Sequence, residues 1–412
     1  MSSSEERKDL PAGRAPRDGP RRPLKIGGRQ PRGAPAKGTD HAAHAVLFLE
    51  EGVGRFGQGD LAGAIACWEK ALESDPGLIE AWNNIGKASE IEGRFEDAAR
   101  SFRRAIEIRR DQQESWFHLG NAEDSRGRFG EAVAAYREAL GLEPNLHEAW
   151  NNMGNAYVHL GRLDEAVECY RRALSLHSEC YECWANLGNA LVDLADLESA
   201  VKAYERAIEI RPDAHQVWYN LAFAQASRGR FEEALEGYRK AASLLPGDYE
   251  VWYNLGNACL EMGRLDEAVA AFRSALQGGD GDHEVWNNLG SALAQQGRLA
   301  EATACFEKAL GISPSYDLSW NNLGNVLEEQ ADLEGSARAF ERAVSLAPHQ
   351  ATYHLNLAST LARLGDLDRS RGALIRALDL APELRQLLPG FTEFAPLLSH
   401  PDFEIKGGSA PP

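Results

Sequence analysis

Nowhere in the 412 residues do eighteen apolar side chains follow one another, and no apolar segment stands behind the charged N-terminus, so neither a membrane span nor a secretory signal is expected. A cytoplasmic location is the default that follows. Cysteine is scarce: Cys67, Cys169, Cys180, Cys183, Cys259 and Cys305 are too few and too scattered for a disulfide framework, and reduced, buried or half-buried thiols are expected. Cations are outnumbered, 44 Lys and Arg to 62 Asp and Glu, for a formal charge of −18. Residues 1–40 hold ten basic against five acidic side chains, leaving 34 against 57 and a charge near −23 for the remainder. So acidic a body repels phosphate backbones, which argues against its binding nucleic acid. Catalytic signatures are missing too: there is no G-x-x-x-x-G-K-[ST] and no G-x-S-x-G. The histidines are scattered, so no nucleophile, base and orienting group can be named together, and neither an enzyme nor a cofactor is expected.

What the sequence has is a period. Tryptophan stands at 82, 116, 150, 184, 218, 252, 286 and 320, every step 34 residues, and Phe48 and His354 extend the frame by one step each way. Ten repeats tile residues 45–384, starting at 45, 79, 113, 147, 181, 215, 249, 283, 317 and 351, with the tryptophans at position 4. Apolar and small residues fall at positions 4, 7, 8 and 11 and again at 20, 24 and 27, which are helical spacings on two successive segments. Position 8 is Gly or Ala from the second repeat on, position 27 is Ala throughout, and position 24 carries the bulk, from Trp68 and Phe102 to Phe340 and Leu374. Small residues opposite large ones predict two closely packed helices. Gly-Arg at 93, 127, 161, 229, 263 and 297 marks the turn between them, where glycine can adopt a left-handed conformation; at 195 and 331 the pair is Ala-Asp. Proline at position 32, as in Pro76, Pro144 and Pro212, stops the second helix.

This pattern of W-x-x-L-G, Ala at 20, an aromatic at 24, Ala at 27 and Pro at 32 resembles the tetratricopeptide repeat over about four-fifths of the chain. The resemblance implies an all-α fold, a right-handed α-solenoid superhelix of about ten helix-turn-helix repeats, with the first helix of each on the concave wall. Positions 2, 5, 6, 9, 12 and 13 then lie away from the packed residues. Position 6 carries Asn84, Asn152, Asn186, Asn220, Asn254, Asn288, Asn322 and Asn356, with His118 as the exception. No packing reason for that uniformity is visible in the sequence. Position 9 adds Asn121, Asn155, Asn189, Asn257 and Asn325, and position 5 adds Asn83, Asn151, Asn287 and Asn321.

An amide offers a carbonyl acceptor and two N–H donors, the complement of a peptide group, so such a ladder can grip extended backbone; the alternative is that the amides brace neighbouring helices. The ladder is similar to the asparagine-lined superhelix of the O-linked N-acetylglucosamine transferases, without anything long enough after residue 384 to be their catalytic domain. Beside it, position 2 forms an acidic row of Glu80, Glu114, Glu148, Glu182, Glu250 and Glu284, which selects neutral or basic segments or merely favours the helix dipole. Lys87 and Arg363 are the only cations at these wall positions in repeats two to ten, too few for a clamp on a terminal carboxylate.

Outside the repeats, residues 1–40, with six prolines and six glycines, are expected to be a disordered basic tail, either solvated or touching an acidic surface. Residues 385–405 read as a capping segment over the last apolar face, and 406–412 as a frayed tail. Gly278 to Asp282 replaces a proline break and reads as a joint rather than a calcium loop. His177, Cys180 and Cys183 have a spacing that could supply three metal ligands, with His147 as a possible fourth, or a redox disulfide, but neither is expected there, because a metal needs four converging ligands and Cys183 sits beside the packed Trp184. The expected function is a scaffold or adaptor that binds an extended segment of a protein partner in the groove. The alternatives are a self-assembling structural or complex-assembly factor and a non-catalytic recognition subunit of a separately encoded enzyme.

Overall fold

The computed structural model describes residues 39–278, 282–386 and 388–398, and among these every regular element is helical. The described residues form two compact bodies, divided between Ala224 and Gln225 inside the helix His215–Ser227. The same hairpin recurs within each. A first helix of 13 residues, such as Ile79–Ile91, is followed by a second of 14, such as Phe95–Ile108. Two departures stand out: the opening helix Thr39–Gly57 has 19 residues, and the second helix of repeat seven, Leu265–Ala275, has 11. Expectations about 1–38, 279–281, 387 and 399–412, the last including the end of the expected cap, fall outside the described residues, while Thr39 and Asp40, assigned to the tail above, belong to the first helix.

The glycines of the six Gly-Arg turns have φ between +68° and +75°, and Ala195 and Ala331 are held at +60° and +63°, in the left-handed region that a Cβ disfavours. Behind each turn the two helices touch through positions 8 and 24. A Cβ added to Gly86, Gly188 or Gly256 would lie 2.4–2.5 Å from the ring of Phe102, Tyr204 or Phe272, and those rings are at most 1% exposed. Glycine there is a requirement of close approach.

The tryptophan column does more than pack. Each indole is half-buried, and the Nε1–H of Trp82, Trp150, Trp218, Trp252 and Trp320 donates to the carbonyl of Pro76, Pro144, Pro212, Pro246 and Pro314, at 2.7–3.1 Å. Trp116 and Trp184 do the same to Arg110 and Ser178, and His354 takes the place with its Nε2 3.0 Å from the Pro348 carbonyl. The carbonyl at the end of one repeat is thus satisfied by position 4 of the next, where a proline stop leaves it without an intrahelical donor. At the far end Leu388, Phe394 and Leu397 pack with Leu355, Leu374 and Leu378 into one buried cluster.

Candidate functional site

The candidate site is the amide ladder on the first helices, and here one expectation is corrected. Position 6 does have a packing reason to be asparagine. The Nδ2–H of Asn152 donates to Asn121 Oδ1 at 2.9 Å, that of Asn220 to Asn189 Oδ1 at 2.9 Å and that of Asn288 to Asn257 Oδ1 at 2.9 Å. Asn186, Asn322 and Asn356 instead reach Asn151, Asn287 and Asn321 at 3.0–3.1 Å. A simple rule covers all six: the amide bonds to position 5 of the preceding repeat when that is asparagine, and otherwise to position 9. Phe117, Ala185 and Tyr253 are the three residues at position 5 that divert it.

The amides at positions 5 and 9 are themselves held. Asn121, Asn155 and Asn189 take the hydroxyl protons of Tyr136, Tyr170 and Tyr204, the position-24 rings of their own repeats, at 2.7–2.9 Å. Buried Asn83 and Asn287 accept from Ser115 and Ser319 at 2.8 and 2.9 Å. Burial pushes the hydroxyls of Tyr170 and Tyr204 up from their ordinary range, so they remain donors at any physiological pH.

Three ladder residues lie outside this set of bonds. Asn84 is 9% exposed, with no amide at Leu49 or Val53 behind it. Asn254 donates to the Glu250 carbonyl at 2.9 Å. Asn325 is exposed, its repeat having already supplied Asn321. At the exceptional position His118, Nδ1 lies 3.0 Å from Glu90.

The acidic row is divided. Glu80, Glu182 and Glu250 are exposed. Glu114 binds Lys87 Nζ at 2.5 Å, Glu148 lies 3.1 Å from His147 Nδ1, and Glu284 accepts from Tyr253 Oη at 3.2 Å. The other wall cation, Arg363, is ion-paired with Glu328. In the second body, where Leu265–Ala275 ends early, a cavity of about 350 Å³ opens between Leu276, Trp286, Leu289, Leu293 and Cys305.

One expectation about cysteine changes. Cys180 and Cys183 are joined by a disulfide, so they are not reduced thiols and their sulfurs are engaged with each other rather than with a metal. Among the described residues no group of three or more His, Cys, Asp or Glu could hold a metal ion. No described helix is long and apolar enough to cross a membrane.

Comparison with known proteins bears on the repeats directly. Family models described as tetratricopeptide repeat match residues 49–115, 145–213, 185–249, 227–283, 253–317 and 321–384, and one described as TPR repeat matches 120–161. No curated protein matches the chain. Among solved structures, MamA residues 41–end from Desulfovibrio magneticus RS-1 is 22% identical over 41% of this chain and 96% of its own, with a TM-score of 0.39. YrrB, described as a TPR protein with an unusual peptide-binding site, is 22% identical over 54% and 97%, with a TM-score of 0.36. The Cut9–Hcn1 hetero-tetramer of the APC/C is 14% identical over 86% and 87%, with a TM-score of 0.44.

Proposed function

The chain belongs to the tetratricopeptide repeat family, whose members are protein–protein interaction scaffolds, and from that premise we propose that it holds an extended, neutral or basic segment of a partner along its first helices. The observation that carries the reading is the state of the amides. Each of the six position-6 asparagines described above commits an N–H to the stack and stays half-buried; Asn288 also directs an N–H to Tyr253 Oη, and the carbonyls of Asn152, Asn220 and Asn288 each accept one bond, from Asn151, Gln216 and Asn287, while one lone pair on each remains. An amide has a second N–H and a carbonyl with two lone pairs, so part of its capacity is uncommitted while its orientation is already fixed. Groups fixed before binding lose little conformational freedom when a peptide backbone arrives. The ladder then braces and binds at once, and its uniformity has two causes. The exposed Glu80, Glu182 and Glu250 add selectivity for cationic side chains.

Because bracing and binding share residues, the test separates them. Peptides selected by display against the full chain would supply the ligand, with affinity measured by titration calorimetry. Asn325→Ala removes an exposed amide and is expected to weaken binding with the melting temperature unchanged. Asn186→Ala is expected to lower both. Glu182→Gln with Glu250→Gln should flatten the salt dependence of a basic peptide's affinity. Unchanged affinity in Asn325→Ala and in the glutamate pair would leave the ladder as a brace alone.

A further inference from the structure

The six cysteines fall into two classes. Cys67, Cys169, Cys259 and Cys305 are single buried thiols, and burial pushes Cys169 up to about 12 and Cys259 and Cys305 to about 11, which leaves them poor nucleophiles. Cys180 and Cys183 are bonded to each other. A bond between residues three apart closes so short a loop that it constrains little of the unfolded chain, and none of the four remaining cysteines is disulfide-bonded. A structural staple therefore accounts poorly for it.

Its placement accounts for it better. Cys180 is the N-cap of the helix Tyr181–Asp193, and its Sγ accepts from the Cys183 backbone N–H at 3.2 Å. Cys183 is 0% exposed, inside the core shared with Leu187 and Tyr204. Cys180 is half-buried and follows His177, Ser178 and Glu179, all exposed. One sulfur of the pair is approachable and the other is not. The approachable sulfur also sits where the first backbone N–H groups of a helix favour negative charge.

We propose that Cys180–Cys183 is a reversible thiol–disulfide exchange site whose reacting sulfur is Cys180 and whose co-substrate is an external dithiol. The incoming thiolate bonds to Cys180 Sγ, the Cys180–Cys183 bond breaks, and its electron pair leaves with Cys183, which takes up a proton. The second thiol of the same dithiol then attacks the incoming sulfur and releases Cys180 as a thiolate, facing the Cys183 N–H at the helix start. In net terms the protein disulfide becomes two thiols and the external dithiol becomes a disulfide; an external disulfide reverses both steps. The same helix carries Glu182 and Asn186, so the exchange occurs at the foot of a ladder helix. This inference does not depend on peptide binding.

The experiment uses the full chain, native, with iodoacetamide labelling read by mass spectrometry. As purified, no cysteine should label. After mild dithiothreitol treatment Cys180 should label first and the four single cysteines should stay unlabelled, and removal of reductant with added oxidised glutathione should restore protection. Cys183→Ser should then capture glutathione at Cys180, about tenfold or more faster than Cys180→Ser captures it at Cys183. Circular dichroism of both variants checks that they fold. Labelling of Cys180 and Cys183 before reduction, failure of the disulfide to re-form, or equal capture by the two variants would each overturn the proposal.

Discussion

The first and last repeats differ from the eight between them at the positions that set local stability. At the turn, the terminal repeats have Gly59-Asp60 and Gly365-Asp366: glycine at φ +84° in both, followed by an aspartate that caps the next helix by accepting from Gly63 or Arg369 N–H at 2.9 and 3.2 Å. Interior repeats have one of these features or the other. Six pair a glycine with an arginine that makes no side-chain cap, and two pair a capping aspartate, Asp196 or Asp332, with an alanine held at positive φ. An interior hairpin has neighbours on both sides to hold it, whereas a terminal one relies more on its own local chemistry.

The two ends also finish their open faces differently. In every later repeat position 7 is a large apolar residue, but in the first it is Glu51, ion-paired at 2.9 Å with Arg55 at position 11. Leu47, at the position-3 column that is buried in all later repeats, is 59% exposed. The last repeat keeps its apolar face and covers it with Leu388, Phe394 and Leu397. One end changes its residues; the other adds a lid. The largest expected effect therefore lies at the covered end. Phe394→Ala should cost about 3–5 kcal/mol in urea unfolding, whereas Leu47→Ala at the open face should stay within about 0.5 kcal/mol. Equal losses would mean that both ends are covered.

The helix contact gives the next effect. The last repeat packs Ala358 near Leu374 in one cluster, where seven of the eight interior repeats pair glycine with a ring and repeat six has Ala222 at that position. Gly256→Ala places a Cβ 2.5 Å from Phe272 and should cost about 1–3 kcal/mol. In a double-mutant cycle with Phe272→Leu, the pair should recover about 1 kcal/mol relative to the sum of the single changes. Full additivity would show that the glycine is there for another reason.

How much of this the sequence discloses depends on whether a contact is local in the repeat frame. The hairpin, the glycine–ring contact and the left-handed turn all lie within one 34-residue period, so alignment of the repeats exposes them. The indole bond to the preceding carbonyl is just as regular, six residues apart, but periodicity does not distinguish a ring that packs from one that also donates. The amide ladder needed a second column: position 6 has meaning only beside positions 5 and 9 of the repeat before. Glu123, 1% exposed at the packed position 11 and bound by Arg126 at 2.7 Å, has no column at all. Its partner at i+3 was visible, but its burial was not. The Cys180–Cys183 bond was likewise a matter of which side chains face each other at one junction.

The ladder separates interior from terminal repeats at a smaller energy. Asn186→Ala leaves one acceptor on half-buried Asn151 without its donor and should cost about 1 kcal/mol. Asn84 follows a first repeat with no amide at 49 or 53, so Asn84→Ala should cost clearly less by the same thermal melt. A loss at Asn84 as large as at Asn186 would contradict the rule that ties position 6 to the preceding repeat.

The smallest effect has the opposite sign. Ala195 is at φ +60°, a conformation that costs an L-residue about 1–2 kcal/mol, while glycine's extra freedom in the unfolded chain offsets about 0.4–1 kcal/mol of any gain. Ala195→Gly should therefore stabilise by about 0.5 kcal/mol, giving an interior repeat the Gly-Asp turn found at both ends. The cap at Asp196, which accepts from Ser199 N–H at 3.1 Å, is untouched by the change. Destabilisation would mean that the neighbouring repeats hold this turn so firmly that its own dihedral strain is already absorbed, and that terminal and interior hairpins differ in packing rather than in turn chemistry.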